Sequence, residues 1–252
     1  MDTAHKNPYK ESVEKAYNDT KDSVQNTYKR ATYHLGEWKP LLRGWIHAVT
    51  FPLSAALGLF LVTLGPTFSD RITISIFVFT AMQLFGISAL YHRFNWSPKN
   101  KEVLRKLDHT NIMLIIAGTY TPLAWMLLPN NQGKLLLTIV WTSALAGAAF
   151  RILWTNAPRW LYTTCYVIVG CIALLFLPAL WHANPLVTSL IIAGGVFYIA
   201  GAIVYGMKKP NINPDIFGFH ELFHAFTVVG FGFHFAAVVL VVLEASHGTL
   251  NV

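Results

Sequence analysis

The amino-acid sequence predicts an all-α integral membrane protein, a bundle of seven transmembrane helices. Of its 252 residues, 54% are hydrophobic and only 12% are charged, whereas a soluble domain usually carries about 25% charge. Seven stretches reach or approach the roughly 20 mostly apolar residues that a spanning helix needs. The connections between them are short, so neighbouring helices are expected to run antiparallel.

The first 37 residues form a polar leader, and we assign residues 38–252 to the membrane domain. Lys10–Thr20 and Lys21–Ala31 repeat a weak pattern of 11 residues, which is close to three helical turns and returns matched positions to one face. This predicts an amphipathic cytoplasmic helix; a solvated, partly disordered leader is the alternative.

The balanced charge of the leader does not suit a polybasic membrane anchor. No signal peptide is expected, because the leader lacks the apolar core segment of a signal peptide. The predicted apolar stripe consists of Val13, Tyr17, Val24, Tyr28, Ala31 and Leu35.

The predicted spans are Gly44–Leu64, Ile72–Tyr91, Thr110–Leu128, Gly133–Leu153, Trp160–Leu180, Pro185–Met207 and Phe217–Leu243. The fourth is the weakest, because Arg151 falls in its last turn. Pro52, Pro122 and Pro178 are interpreted as kink positions, which membrane helices tolerate when neighbours satisfy the freed backbone groups.

Basic residues are distributed unevenly between the two predicted membrane faces. Of 19 Lys and Arg, 17 fall on the side of the N-terminus, and only Arg71 and Lys134 fall on the other. The positive-inside rule therefore predicts a cytoplasmic N-terminus and an outside C-terminus. The net charge of +7 thus reflects topology, and we see no reason to infer nucleic-acid binding.

A candidate metal site lies at the predicted cytoplasmic face. His220 and His224 are spaced i, i+4 near the start of the last span, so both imidazoles point from one helix face. His92 ends the second span and Asp108 opens the third, and charge counting places both at the same face. Ser88 lies one turn deeper than His92. Three imidazoles with a carboxylate nearby suit a catalytic zinc site whose fourth position is open to water.

Each of these residues also has an ordinary explanation. His92 borders Arg93 and would serve as an interface histidine. Asp108 would cap the third helix, where a negative charge is favourable. Ser88 would bond its own backbone one turn back. Taken together, these explanations leave a cluster of polar residues in an apolar chain unaccounted for.

The segment from His220 to His224 also matches the HExxH pattern of metalloproteases, in which the Glu is the general base. Such an enzyme needs a further downstream ligand, and here the candidates are His234, Glu244 and His247. His234 is ten residues on, about 15 Å along a helix. The protease interpretation is therefore disfavoured, and Glu221 is better explained as a supporting or interface residue.

Three blocks of the sequence stand out: SALYHRFNWS (Ser88–Ser97), DHTNIMLIIAGTYTP (Asp108–Pro122) and HELFHAFTVVG (His220–Gly230). They resemble the signatures of the hemolysin III family, within the progestin and adipoQ receptor superfamily. The resemblance spans roughly Trp38 to Leu243. It implies a seven-helix bundle with zinc held by His92, His220 and His224 and with Asp108 and Ser88 around the reactive water. The superfamily includes the adiponectin receptors, and the alkaline ceramidases, which cleave lipid amides, look like distant relatives.

The leading hypothesis is a zinc-dependent hydrolase of a lipid amide or ester. Asp108 would orient the attacking water and take its proton, and Ser88 would donate a hydrogen bond to the water or the developing oxyanion. Three neutral imidazoles favour zinc over magnesium or calcium. The second hypothesis is a membrane sensor or receptor-like protein with a structural zinc. The third is a cytolytic pore former, although the spans lack a continuous polar stripe.

Overall fold

The computed structural model describes residues 8–35 and 39–248, and regular structure in these ranges is helical. One helix, α1, precedes the membrane domain at Pro8–Leu35. Seven stretches that follow are long and apolar enough to cross a membrane, which confirms the predicted fold class. They contain α2 (Trp45–Leu64), α3 (Phe68–Arg93), α4 (Pro98–Leu127), α5 (Asn130–Leu153), α6 (Arg159–Gly170), a 3₁₀ segment (Cys171–Phe176), α7 (Leu177–Ala183), α8 (Pro185–Met207) and α9 (Phe219–Ser246).

The leader helix α1 belongs to a compact unit of its own, separate from the unit that begins at Pro40. The structure describes only part of the apolar stripe that the sequence predicts for this helix. Val13, Tyr17 and Val24 are exposed, and the side chains of the stripe's last three positions, from residue 28 onward, lie outside the described residues.

Short polar residues fix several helix starts. The Thr67 side chain accepts a hydrogen bond from the Asp70 N–H while Asp70 bonds back to Thr67, a reciprocal cap that begins α3. Ser97 caps α4 through the Asn100 N–H, and Asn184 caps α8. These caps satisfy backbone groups that would otherwise be unpaired at the membrane edge.

The helices pack mainly against their neighbours in sequence, and α9 returns to contact α2 as well as α4 and α8. Of the seven spans, α4 is the most buried and contacts α3, α5, α6 and α9. Antiparallel packing brings the end of α3 and the starts of α2, α4 and α9 to one end of the bundle. That end holds the candidate site.

The third span differs from its prediction. Helix α4 begins at Pro98, so Asp108 lies about three turns inside the helix and does not cap it. Hydropathy marks the apolar part of a helix, whereas the helix itself continues into the basic residues that precede it. The ordinary explanation of Asp108 as a helix cap is therefore wrong.

The fifth span is interrupted, with 3₁₀ geometry at Cys171–Phe176. The Tyr120 hydroxyl, from α4, donates to the Gly170 carbonyl at 2.6 Å and accepts from the Ala173 N–H at 2.8 Å. Pro178 follows, and its missing N–H removes another helical bond. The α-helix is interrupted here because the Tyr120 hydroxyl replaces helical backbone hydrogen bonds and Pro178 cannot donate one. Cys165 and Cys171 are both free thiols.

Candidate metal centre

Three histidines from two helices converge at one end of the bundle. His92 comes from the last turn of α3, and His220 and His224 come from the first turns of α9. One ligand atom from each imidazole lies within 4.8 Å of the other two. The Nε2 atoms of His92 and His220 are 3.1 Å apart. The i, i+4 spacing on α9 thus places two nitrogens opposite the one that α3 supplies.

The donor set fits a zinc ion. Zinc–nitrogen bonds of 2.0–2.1 Å at tetrahedral angles place two ligand nitrogens about 3.3 Å apart, close to the observed separation of the His92 and His220 nitrogens. Neutral imidazole suits zinc better than the hard cations that prefer oxygen. The described residues include no further His, Cys, Asp or Glu that joins these three within ligand distance.

Asp108 and Ser88 lie beside the three histidines, and both are buried. The Asp108 Oδ2 is 3.8 Å from the His92 Nε2, too far for a direct hydrogen bond. The Ser88 hydroxyl lies close enough to the Asp108 carboxyl to interact with it. A hydroxyl has one proton to donate, so Ser88 can donate either to Asp108 or to a water or oxyanion, as the sequence predicts.

His47 has no role in the site predicted from the sequence, but it stacks on His224 with ring centroids 3.9 Å apart and planes inclined by 10°. The Phe85 ring meets His47 edge-on at 5.1 Å. His47 is only 2% exposed, and neither of its nitrogens has a hydrogen-bond partner among the residues described. Its position at the start of the first span was the available signal, but no spacing linked it to the other histidines.

Glu221, the acidic residue of the HExxH pattern, is occupied elsewhere. Its Oε1 accepts from the Arg43 Nε, and its Oε2 accepts from the Gly218 N–H at 2.9 Å. The first contact is a partly buried ion pair, and the second caps the start of α9. The structure therefore supports the interpretation of Glu221 as a supporting residue.

The downstream ligand candidates are also engaged away from the site. His234 is 3.0 Å from the Ile191 carbonyl, the Glu244 carboxylate accepts from the Asn184 amide, and His247 bonds the Leu243 carbonyl. None of them belongs to the histidine cluster. The geometry does not provide the third ligand that the protease interpretation needs.

His109, next to Asp108, points away from the three histidines. Its Nδ1 lies 2.7 Å from the Arg105 carbonyl and its Nε2 lies 3.4 Å from the Tyr205 hydroxyl. It connects the metal centre to a second group of polar side chains on α5, α6 and α8.

Comparison with known proteins agrees with the three sequence blocks. A family model described as "Haemolysin-III related" matches residues 36–235. The chain is 32% identical to "Hemolysin-3" of Bacillus cereus over 181 residues, which cover 71% of this chain and 80% of that relative. It is 30% identical to "Hemolysin-3 homolog" of Bacillus subtilis (strain 168) over 188 residues, which cover 73% of this chain and 85% of that relative. The chain therefore belongs to the haemolysin-III related family of multi-pass membrane proteins.

Proposed function

We propose that this protein is a membrane-embedded zinc-dependent hydrolase that cleaves an amide or ester bond of a lipid. The observation that carries the proposal is the position of Asp108. Its buried carboxyl interacts with Ser88 and lies 3.8 Å from the His92 Nε2. A proton acceptor beside three metal-binding imidazoles is the arrangement that zinc hydrolases use.

Zinc, when bound by His92, His220 and His224, would polarise the scissile carbonyl and provide a nucleophile at neutral pH. Asp108 would accept the proton of the attacking water and return it to the leaving group. Ser88 would fix the orientation of the Asp108 carboxyl. The Phe85 and Phe223 rings, which contact His47 and His224, would give the acyl chain an apolar surface.

We place this site at the cytoplasmic face. Arg43, Arg93 and Lys99 occupy the end of the bundle that holds the histidines, and Arg71 and Lys134 occupy the opposite end. The positive-inside rule assigns the more basic end to the cytoplasm. Cysteine-labelling of introduced surface positions in intact cells would test this orientation.

The metal is tested first, by elemental mass spectrometry of detergent-purified protein prepared without chelators. We expect about one zinc per chain in the wild type and its loss in His92→Ala and in His220→Ala. Loss in both variants would establish one shared site, because the two residues lie on different helices. Wild-type protein without zinc would remove the hydrolase proposal.

Turnover is tested with Asp108→Asn, which keeps the size of the side chain and an oxygen acceptor for Ser88. We expect this variant to retain zinc and to lose hydrolysis of amide and ester lipids by about 100-fold or more, the usual contribution of a general base. Substrates are screened in mixed micelles with a ceramide-type amide and glycerolipid esters. Retained turnover in Asp108→Asn would exclude Asp108 as the base.

The names of the two relatives raise a second candidate, a cytolytic activity. Leakage of a dye from liposomes that contain purified protein tests it directly. Leakage that persists in the zinc-free His220→Ala variant would favour this candidate over hydrolysis. Zinc binding without hydrolysis or leakage would favour a structural metal in a sensor or receptor-like protein.

A further inference from the structure

A second polar cluster adjoins the metal centre, and we call it the arginine–tyrosine cluster. It draws on α4, α5, α6 and α8 at the end of the bundle that holds the histidines. The Tyr205 ring lies 5.8 Å from the His220 ring, so the two sites are in direct contact. The cluster consists of Arg105, Arg151, Arg159, Tyr162, Tyr166 and Tyr205.

Arg151 is only 2% exposed. Its guanidinium carbon lies 4.1 Å above the Tyr162 ring, and its side chain lies close enough to Tyr166 to interact with it. The only other contact given by the described residues is a long one, 3.5 Å from Nη1 to the Trp154 carbonyl. The buried Nε has no hydrogen-bond partner among those residues.

Arg159 and Arg105 belong to the same cluster. The Arg159 guanidinium lies 4.5 Å above the Tyr205 ring and donates to the Tyr205 carbonyl at 3.2 Å. The Arg105 Nε is buried and has no hydrogen-bond partner within the described ranges. All three arginines lie close enough to His109 to interact with it electrostatically.

Among the described residues, no carboxylate forms an ion pair with the arginines of this cluster. Glu221, a neighbouring acid, is paired with Arg43, and Asp108 makes no ion pair with these arginines. Burying the charge of Arg151 without a paired counter-charge is unfavourable. Aromatic rings attract a cation without neutralising it, so an anion bound at the cluster would stabilise it.

The donors present match a phosphate group. Guanidinium forks bind phosphate oxygens through paired hydrogen bonds, and the unpartnered Nε atoms of Arg105 and Arg151 are available for such pairing. The hydroxyls of Tyr162 and Tyr205, 3.3 Å apart, add donors that can reorient. A membrane protein meets this chemistry as lipid phosphate and as free inorganic phosphate.

We propose that the arginine–tyrosine cluster binds the phosphate group of an anionic lipid headgroup. Bound there, the headgroup lies next to the histidine site, with its acyl chains directed toward the apolar spans. If the protein is the proposed hydrolase, the lipid bound at this cluster is its substrate, and in this respect the inference rests on the proposed function. The substrate would then be a phosphate-bearing lipid.

The test compares three probes on full-length protein in an uncharged maltoside detergent, by native mass spectrometry. The probes are dioctanoyl phosphatidic acid, dioctanoylglycerol and inorganic phosphate. We expect phosphatidic acid to bind at least about tenfold more tightly than dioctanoylglycerol, as the loss of charge-assisted hydrogen bonds predicts. Inorganic phosphate that binds as tightly as phosphatidic acid would identify the free ion as the ligand and overturn the headgroup assignment.

Arg151→Gln should weaken phosphatidic acid binding by about tenfold or more while retaining the zinc of the wild type. Lys99→Gln removes the same charge from an exposed position near the start of α4 and should leave binding unchanged. Arg159→Gln, at a half-buried position, replaces Arg151→Gln if that variant does not fold. Equal binding by wild type and the folded arginine variant would overturn the inference.

Failure of the hydrolase proposal can be distinguished from failure of the headgroup site. If only the hydrolase proposal fails, phosphatidic acid would still bind in an Arg151-dependent manner, while zinc or turnover would be missing. Conversely, turnover of lipids without phosphate, with no dependence on Arg151, would support the hydrolase and overturn the headgroup site.

Discussion

Substitution of Glu221 distinguishes a structural role from a catalytic one. Its side chain is 1% exposed, and its two oxygens accept from Arg43 and from the Gly218 N–H. The segment around Arg43 is also fastened to the loop before α9, since the Leu41 and Leu42 N–H groups donate to the Asp215 and Ile216 carbonyls. Glu221→Ala should therefore destabilise the junction between α2 and α9 and leave the metal in place.

The size of the effect follows from the two lost contacts. Removing one partner of a buried ion pair costs about 3–5 kcal/mol. The lower value applies here because the Arg43 side chain is 24% exposed and can be rehydrated. Loss of the cap on Gly218 adds about 1 kcal/mol. At about 2–4 °C per kcal/mol for a chain of this size, the total of about 4 kcal/mol lowers Tm by about 8–16 °C.

The assay is thermal unfolding in detergent, followed by size-exclusion chromatography with fluorescence detection. Arg43→Met should destabilise the protein to a similar extent, because it leaves Glu221 buried and unpaired. The double variant Arg43→Met/Glu221→Met should lose only about 1 kcal/mol, because an apolar pair often replaces a buried ion pair without loss and only the cap on Gly218 is missing. A double-mutant cycle thus gives the coupling energy directly.

One result would refute this reasoning. If Glu221→Ala kept the wild-type Tm and its zinc but lost hydrolysis, Glu221 would be acting as the general base of an HExxH enzyme. Glu221→Gln is the matched control. It removes the charge that pairs with Arg43 but retains an oxygen for the Gly218 N–H, so it separates loss of the ion pair from loss of the cap.

Further predictions concern close packing and the stacked histidine. Gly118→Ala should cost about 1–3 kcal/mol, because the new methyl group would lie 2.0 Å from the Thr80 Oγ1 and 2.9 Å from its Cβ. The control Gly195→Ala, with nothing within 4 Å, should cost nothing, and equal Tm values for the two variants would contradict the packing of α3 on α4. His47→Phe should keep the stack on His224 and the full zinc content. Zinc loss in that variant would make His47 a ligand.

The membrane spans could be predicted from the sequence because lipid requires continuous apolar helices whose backbone groups bond internally. Helix ends could not, as α4 shows by beginning at Pro98. The break at Cys171–Phe176 was also hidden, because it depends on a hydroxyl contributed by Tyr120 from another helix. Local sequence specifies a helix, and tertiary contacts decide where it is interrupted.

The same limit applies to the site. The i, i+4 spacing of His220 and His224 is a local feature, and charge asymmetry placed His92 and Asp108 at the same end. His47 lies at that end too, but no sequence spacing links it to the other histidines, because the ring stack on His224 forms only on folding. Glu221 belongs to a sequence pattern that predicts a catalytic role. Its ion pair with Arg43, 178 positions away in the sequence, indicates a structural role instead.

We expect Ser88 to influence whether the proposed metal site is open or closed. A tetrahedral structural zinc has four protein ligands, whereas a catalytic zinc has three and an exchangeable position. Asp108 would be the candidate fourth ligand, since its Oδ2 lies 3.8 Å from the His92 Nε2. A hydrogen bond donated by Ser88, which interacts with this carboxyl, would hold the carboxyl back from the metal.

Ser88→Ala should therefore release the Asp108 carboxyl toward the metal. We expect zinc to dissociate more slowly from this variant and turnover to fall, because the carboxylate would occupy the position that the water needs. Ser88→Thr keeps the hydroxyl and should restore both properties. Chelator-driven zinc release and lipid hydrolysis measured on the same preparations separate the outcomes. Faster zinc release from Ser88→Ala would instead show that Ser88 stabilises a site in which Asp108 is already a ligand.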